Sequence, residues 1–158
     1  MTPGCVSLKI VSDRVDLARG YLADLEALKA LGAAVFASER RNPAAAESFL
    51  RRAIEALFDA ARHLLAKGHG LAGLEYREVA RLLCERGLVA DAALAPRLVK
   101  VAGFRNRLTH YYDEVTPDEL FRVLQSDLGD LEAFARELET AAARLAQDMG
   151  RHNHSGSD

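Results

Sequence analysis

The chain has 158 residues, contains no tryptophan and carries a formal net charge of −2. Its length is sufficient for one domain with a substantial core, and its abundance of alanine and leucine favours helix over sheet. The weak net charge excludes a uniformly basic nucleic-acid-binding surface, so any contact with nucleic acid must depend on local clusters of arginine. We predict a single domain over residues 1–150, followed by a disordered polar tail over residues 151–158.

Cysteine content and hydropathy bear on the cellular compartment. The two cysteines, Cys5 and Cys84, do not form a disulfide framework, which is typical of a reducing environment. No basic segment leads into an apolar run, and no run approaches the 18 apolar residues that a membrane helix needs. We therefore expect no signal peptide, no membrane span and a cytoplasmic location.

Five stretches with apolar residues spaced three and four apart predict five amphipathic helices. We expect these helices over residues 8–35, 43–67, 75–86, 91–112 and 117–149. Asn42 and Pro43 are good starting residues for the second helix, and Thr116 with Pro117 and Glu119 forms a capping pattern for the fifth. The resulting prediction is an all-α up-and-down bundle that buries Leu57, Phe104, Leu108, Leu124 and Leu131.

The fourth predicted helix carries a polar edge beside its apolar stripe. Asn106 and His110 are one helical turn apart, so they are neighbours on the side away from that stripe. Arg105, Thr109 and Tyr112 fall on the flank between the two faces. About one and a half turns of helix therefore present a guanidinium, a carboxamide, an imidazole and a phenol.

These groups suit the chemistry of phosphate esters. An arginine is always charged and its planar fork fits phosphate oxygens, while a histidine can transfer protons near neutral pH. No cluster of carboxylates lies between Arg105 and Tyr112 to hold Mg²⁺, so we expect neither a metal site nor a cofactor. From spacing alone, a solvated helix face is the simplest alternative.

The spacing of these residues resembles a known motif. Arg105, four residues, His110, one residue and Tyr112 reproduce the ribonuclease motif of the HEPN superfamily in the form found in HepT-type toxins. The lead-in over residues 103–106 and the order of the predicted helices are also similar, over roughly residues 8–145. The resemblance implies a HEPN helical bundle.

The resemblance also implies a metal-independent endoribonuclease. His110 would transfer protons, Arg105 would stabilise charge on the phosphate, and Asn106 would complete the catalytic set. One histidine cannot easily act as base and acid in a single step, so we expect a symmetric homodimer that joins two polar edges on RNA. Three further residues are candidates for a supporting role: Asp59, His63 and Thr109.

HepT-type proteins are toxins of type VII toxin–antitoxin systems, in which an MntA-like nucleotidyltransferase antitoxin transfers AMP to the motif tyrosine. The resemblance places that tyrosine at Tyr112, although Tyr111 leaves the acceptor ambiguous. On an unbroken helix Tyr111 would fall on the apolar stripe and Tyr112 beside Arg105, which favours Tyr112. The alternative function is a non-catalytic HEPN subunit that binds substrate or partner for a nucleotidyltransferase.

Overall fold

The computed structural model of the protein describes residues 4–154, which contain six α-helices, one short 3-10 turn and no strand. The helices are α1 (Leu8–Ala30), α2 (Ala33–Ser38), α3 (Arg41–His69), α4 (Tyr76–Glu85), α5 (Leu94–His110) and α6 (Pro117–His154). The prediction of an all-α fold is confirmed. Within the described residues, no helix is both long enough and apolar enough to cross a bilayer.

The three longest helices form the framework of the bundle. Each of α1, α3 and α6 packs against the other two, and α5 lies against α3, α4 and α6. Their apolar faces share one continuous core. The side chains predicted to be buried are all buried: Leu57, Phe104, Leu108, Leu124 and Leu131. This packing fixes the polar edge of α5 relative to α3.

The first predicted helix is interrupted, so the expectation of one helix from residue 8 to residue 35 is wrong. α1 ends at Ala30, and Gly32 adopts a φ of 79°, a left-handed conformation that favours glycine. The chain then turns into α2, where Phe36 is fully buried and Val35 is 52% exposed. Apolar residues continue at steps of three and four across Gly32, but the helix that this spacing predicts ends before the turn.

The second predicted helix corresponds to α3, with different ends. α3 begins at Arg41, so Asn42 lies inside the first turn instead of capping it. It ends at His69, and Gly70 closes it in the left-handed conformation at φ 69°. Gly68 marks a close approach to α6, because a Cβ there would lie 2.9 Å from Cδ1 of Leu145.

The start of α6 follows the predicted capping pattern only in part. Oγ1 of Thr116 accepts a hydrogen bond from the Glu119 N–H at 3.2 Å, as an N-cap should. The Glu119 carboxylate does not complete the box, because it pairs with Arg107 of α5. At its other end α6 continues through Gly150 to His154, so the predicted stop at Gly150 is wrong. The rest of the predicted disordered tail, residues 155–158, lies outside the described residues.

Candidate functional site

Arg105 lies where α5 meets α3 and is not on the open flank that the sequence suggested. Its side chain is 22% exposed, and its Nε and Nη2 donate to Oε1 of Glu55 at 3.2 and 3.0 Å. The same carboxylate accepts from Nη1 of Arg51 at 3.3 Å. Hydrogen bonds between ionised partners are stronger and more directional than neutral ones. Glu55 therefore holds the Arg105 guanidinium in one orientation.

A buried tyrosine ring supports the same guanidinium. Cζ of Arg105 lies 4.7 Å from the ring centroid of Tyr76, and Cζ of Arg62 lies 4.3 Å from it. The ring also stacks on Phe58, with centroids 4.9 Å apart. Burial, followed by the negative charge of Asp59, raises the pKa of the Tyr76 phenol, so the ring is uncharged at neutral pH. Tyr76 is therefore a platform for two cations.

The remaining polar residues of α5 surround Arg105 on the solvent side. Nη1 of Arg105 donates to Oδ1 of Asn106 at 3.3 Å, and the Thr109 hydroxyl donates to the carbonyl oxygen of Arg105 at 3.0 Å. His110 is the last residue of α5 and is exposed, with its ring centroid 6.4 Å from that of Tyr111. A fixed guanidinium and an open imidazole therefore occupy successive turns of one helix.

The two motif tyrosines lie beyond the helix. Tyr111 has left helical geometry, with φ −135° and ψ 39°, and Tyr112 begins the 3-10 turn that ends at Glu114. The two side chains are 57% and 59% exposed. The expectation that Tyr111 packs on the apolar stripe is wrong, and the unbroken helix that was to place Tyr112 beside Arg105 ends at His110. Both expectations needed a helix that continues through these residues.

Asp59 and His63 interact with different neighbours. Nε2 of His63 accepts a hydrogen bond from the Ser7 N–H at 2.9 Å, which ties the start of α1 to α3. Burial, followed by the positive charge of Lys67, lowers the pKa of His63, consistent with a neutral acceptor. Asp59 lies one turn after Glu55 on α3, close enough to influence Tyr76. Of these two predicted supporting residues, Asp59 is the one near the Tyr76 ring that supports Arg105.

Acid is expected to destabilise the fold through His63. Because its pKa in the folded state lies below the ordinary value of about 6.5, the unfolded chain binds the proton first as pH falls. The stabilisation is complete above about pH 6.5 and is lost as pH falls through the folded pKa. Between about pH 8 and pH 5, the melting temperature of the wild type should therefore fall more steeply with pH than that of His63→Gln. Glutamine keeps an acceptor but does not titrate.

The matched control for this experiment is His69→Gln. Burial, followed by the charge of Arg86, also lowers the pKa of His69. Its replacement should therefore reduce the dependence of melting temperature on pH independently of His63. The double variant should show the shallowest dependence on pH. Identical slopes for the wild type and His63→Gln would contradict the assignment.

Four residues of this site were not found from the sequence: Arg51, Glu55, Arg62 and Tyr76. The sequence contains one pattern that includes two of them, Glu55 and Arg62. Glu55, Asp59 and Arg62 are spaced at i, i+4 and i+7, so they lie along one polar stripe of an amphipathic helix. Tyr76 falls on the apolar face of α4, so helical spacing alone indicates a core residue, which it also is.

Comparisons with known proteins identify the family. A family model described as Ribonuclease HepT-like matches residues 18–138. The chain belongs to the HepT-like ribonuclease family. A relative from Aphanizomenon flos-aquae, the tRNA nuclease HepT, is 23% identical over 141 residues, which cover 88% of this chain and 94% of the relative. The resemblance inferred from the motif of α5 is thus confirmed.

Solved structures show the same fold as this HepT-like chain. A tri-AMPylated HEPN toxin from Shewanella oneidensis, in complex with MNT antitoxin, matches with a TM-score of 0.74 and 22% identity, over 83% of this chain and 97% of the toxin. A toxin–antitoxin complex with AMP-PNP contains a chain that matches with a TM-score of 0.73 and 22% identity, over 82% and 97% of the two chains. The bundle is therefore a HEPN fold.

Proposed function

We propose that this chain is the toxin of a type VII toxin–antitoxin pair and that it cleaves RNA without a metal ion. The observation that carries the proposal is the presence of a fixed Arg105 guanidinium and an open His110 imidazole on successive turns of α5. Family membership supports the ribonuclease chemistry, and the name of the Aphanizomenon relative suggests tRNA as the substrate. We place the activity in the cytoplasm.

The reaction is a transesterification within the RNA strand. His110 removes the proton of a 2′-hydroxyl, and the 2′-oxygen attacks the adjacent phosphorus. The bond from phosphorus to the 5′-oxygen then breaks, and that oxygen takes a proton. The products are a 2′,3′-cyclic phosphate and a 5′-hydroxyl. We assign the acid to His110 of a second copy, because a two-fold homodimer brings two identical edges together.

Arg105 stabilises the negative charge that develops on the phosphate. Its guanidinium has five N–H donors, and three of them are bonded to Glu55 and Asn106. Two donors are left for phosphate oxygens, on a group whose orientation is already fixed. Preorganised donors of this kind are typically worth about 3 kcal/mol each in a transition state. Asn106 contributes by fixing the solvent-side edge of the guanidinium.

Cleavage of pooled tRNA by the purified protein is expected to persist in EDTA. The expectation follows from the proposed chemistry, in which His110 transfers the protons and Arg105 stabilises the charge on the phosphate. The measurement is gel analysis of the fragments with identification of their ends. Cleavage that needs added Mg²⁺, or fragments with 5′-phosphate ends, would contradict the mechanism.

The partner proposed for this toxin is an MntA-like nucleotidyltransferase antitoxin. Two solved structures that share its fold are a toxin modified with AMP, in complex with MNT antitoxin, and a toxin–antitoxin complex with AMP-PNP. We propose that the antitoxin transfers AMP to Tyr112 of this chain. The exposed position of Tyr112 next to the end of α5 is compatible with that reaction.

A further inference from the structure

We infer that a groove between α4, α5 and α6 binds the RNA strand where it extends away from the candidate site. The groove has a volume of about 650 Å³ and lies on the solvent side of α5. Its cationic lining comes from Arg77 of α4, Lys100 of α5 and Arg122 of α6. The inference rests on the proposed ribonuclease function and assigns its substrate a second contact surface.

The cations of the groove are available to a ligand. All three side chains are exposed, and within the described part of the chain Arg77 and Lys100 have no ion pair or hydrogen-bond partner. Arg122 makes one long contact, from its Nε to the Asp118 carbonyl oxygen at 3.4 Å. Three helices thus each place a cation at the same groove, as an anionic ligand requires; Arg77 and Lys100 are unpaired within that part of the chain, whereas Arg122 also attracts the Glu119 carboxylate.

The acidic residues of the lining neutralise these cations only in part. Glu119 is occupied by Arg107, whose Nη2 donates to Oε2 at 3.1 Å, and this bond lowers the pKa of Glu119. The Arg107–Glu119 pair therefore contributes no net charge. Asp127, which accepts from the Ser126 hydroxyl at 2.9 Å, is the one other carboxylate in the lining. The groove is locally positive on a chain whose net charge is −2.

The groove and the candidate site share one side of α5. Val99, Gly103, Asn106 and His110 are spaced at i, i+4, i+7 and i+11, so they follow one another along the same helix face. Seven residues separate Gly103 from His110, a rise of ~10 Å along the helix axis. That distance corresponds to about three stacked nucleotides at ~3.4 Å each. A strand with its scissile phosphate at His110 would therefore place neighbouring phosphates in the groove.

The floor of the groove allows close approach. Gly103 has no side chain, and a Cβ at that position would lie 3.1 Å from Nη2 of Arg77. The Arg77 guanidinium therefore lies directly over the backbone of α5. Val99, which is 37% exposed, adds an apolar surface on which a ribose or base can rest. A single strand of RNA can place its phosphates against the Arg77 cation and a ribose or base against the apolar Val99.

The test is binding of pooled tRNA to a groove variant, with His110→Ala present in every protein to prevent cleavage. The variant combines Arg77→Gln, Lys100→Gln and Arg122→Gln. Loss of three exposed contacts should raise Kd about ten-fold at low salt. The slope of log affinity against log salt should become shallower by about 2, since each phosphate contact contributes ~0.7 in a single strand. Val99→Glu, which adds a negative charge to the floor, should also weaken binding.

The matched control removes three cations outside the groove: Lys9→Gln, Lys29→Gln and Arg136→Gln. It has the same change of net charge and should bind tRNA with the parent affinity and slope. A groove variant that binds like this control overturns the proposal. So does one that keeps tRNA binding but loses the nucleotidyltransferase complex, because the groove would then be a protein contact. Wild-type protein that binds tRNA without cleaving it would refute the proposed activity, while the binding comparison still decides the groove.

Discussion

Replacing His110 with alanine is expected to lower kcat for tRNA cleavage by about 10²–10⁴-fold and to leave the melting temperature unchanged. His110 is the only group on this edge of α5 that can transfer a proton near neutral pH. It is exposed, and its contact with a neighbouring side chain is the edge-on approach to Tyr111. The loss should therefore fall on the chemical step and not on folding. Single-turnover cleavage and thermal melts measure the two effects separately.

The matched control is His152→Ala, the same change on the exposed surface of α6. It should retain full activity. If His110→Ala cleaves tRNA at the rate of this control, the proton-transfer role is wrong. A fall in the melting temperature would instead indicate that His110 supports the end of α5.

Arg105 requires a different substitution, because the flank position inferred from the sequence suggests a small cost in stability and the structure shows a larger one. Its guanidinium is half-buried against Tyr76 and balances Glu55. Arg105→Ala would leave Glu55 with Arg51 as its remaining partner, at a cost of about 1–3 kcal/mol. Arg105→Lys keeps the charge but loses the planar fork. It should retain more of the stability than Arg105→Ala while lowering cleavage by about 10²–10³-fold.

The helices were predictable where local chemistry and apolar spacing agree. Thr116 and Pro117 identify the start of α6, and Gly70 closes α3. The turn at Gly32 was missed because a glycine inside a helix costs only about 1 kcal/mol, so the spacing of apolar residues outweighed it. The end of α5 was missed for a related reason. Tyr111 continues the apolar period, and the next strong stop is Pro117.

The candidate site was predictable only as far as it lies on one helix. Arg105, Asn106 and His110 are close in sequence, so helical spacing alone places them together. Glu55 and Tyr76 belong to α3 and α4, and their contact with Arg105 depends on which helix faces meet. The packing of the whole core determines which helix faces meet. Spacing within a helix does not encode it.

Tyr112→Phe is expected to prevent AMP transfer and to make the toxin insensitive to its nucleotidyltransferase. In the proposed reaction the Tyr112 oxygen attacks the α-phosphate of ATP, the phenolic proton is lost and pyrophosphate leaves. Tyr112 is 59% exposed at the start of the 3-10 turn, so an enzyme can reach its hydroxyl. Phenylalanine keeps the ring and removes only the acceptor.

Modification at Tyr112 would inhibit the site through charge and bulk. It places a phosphodiester anion two residues from His110, at the open end of α5. A negative charge there repels the RNA phosphate that must reach the same edge. The adenosine would cover the approach to the same edge. This account does not need a helix that continues from Arg105 to Tyr112.

Tyr111→Phe is the matched control, because it removes a hydroxyl one residue away from an equally exposed side chain. Each protein is incubated with the nucleotidyltransferase and ATP, its mass increase is mapped by peptide sequencing, and its residual tRNA cleavage is measured. The wild type and Tyr111→Phe should gain AMP and lose activity, whereas Tyr112→Phe should stay unmodified and active. AMP found only at Tyr111 would show the acceptor assignment to be wrong. The edge-on contact between the Tyr111 and His110 rings would then explain inhibition, since AMP at that position would lie against the imidazole itself.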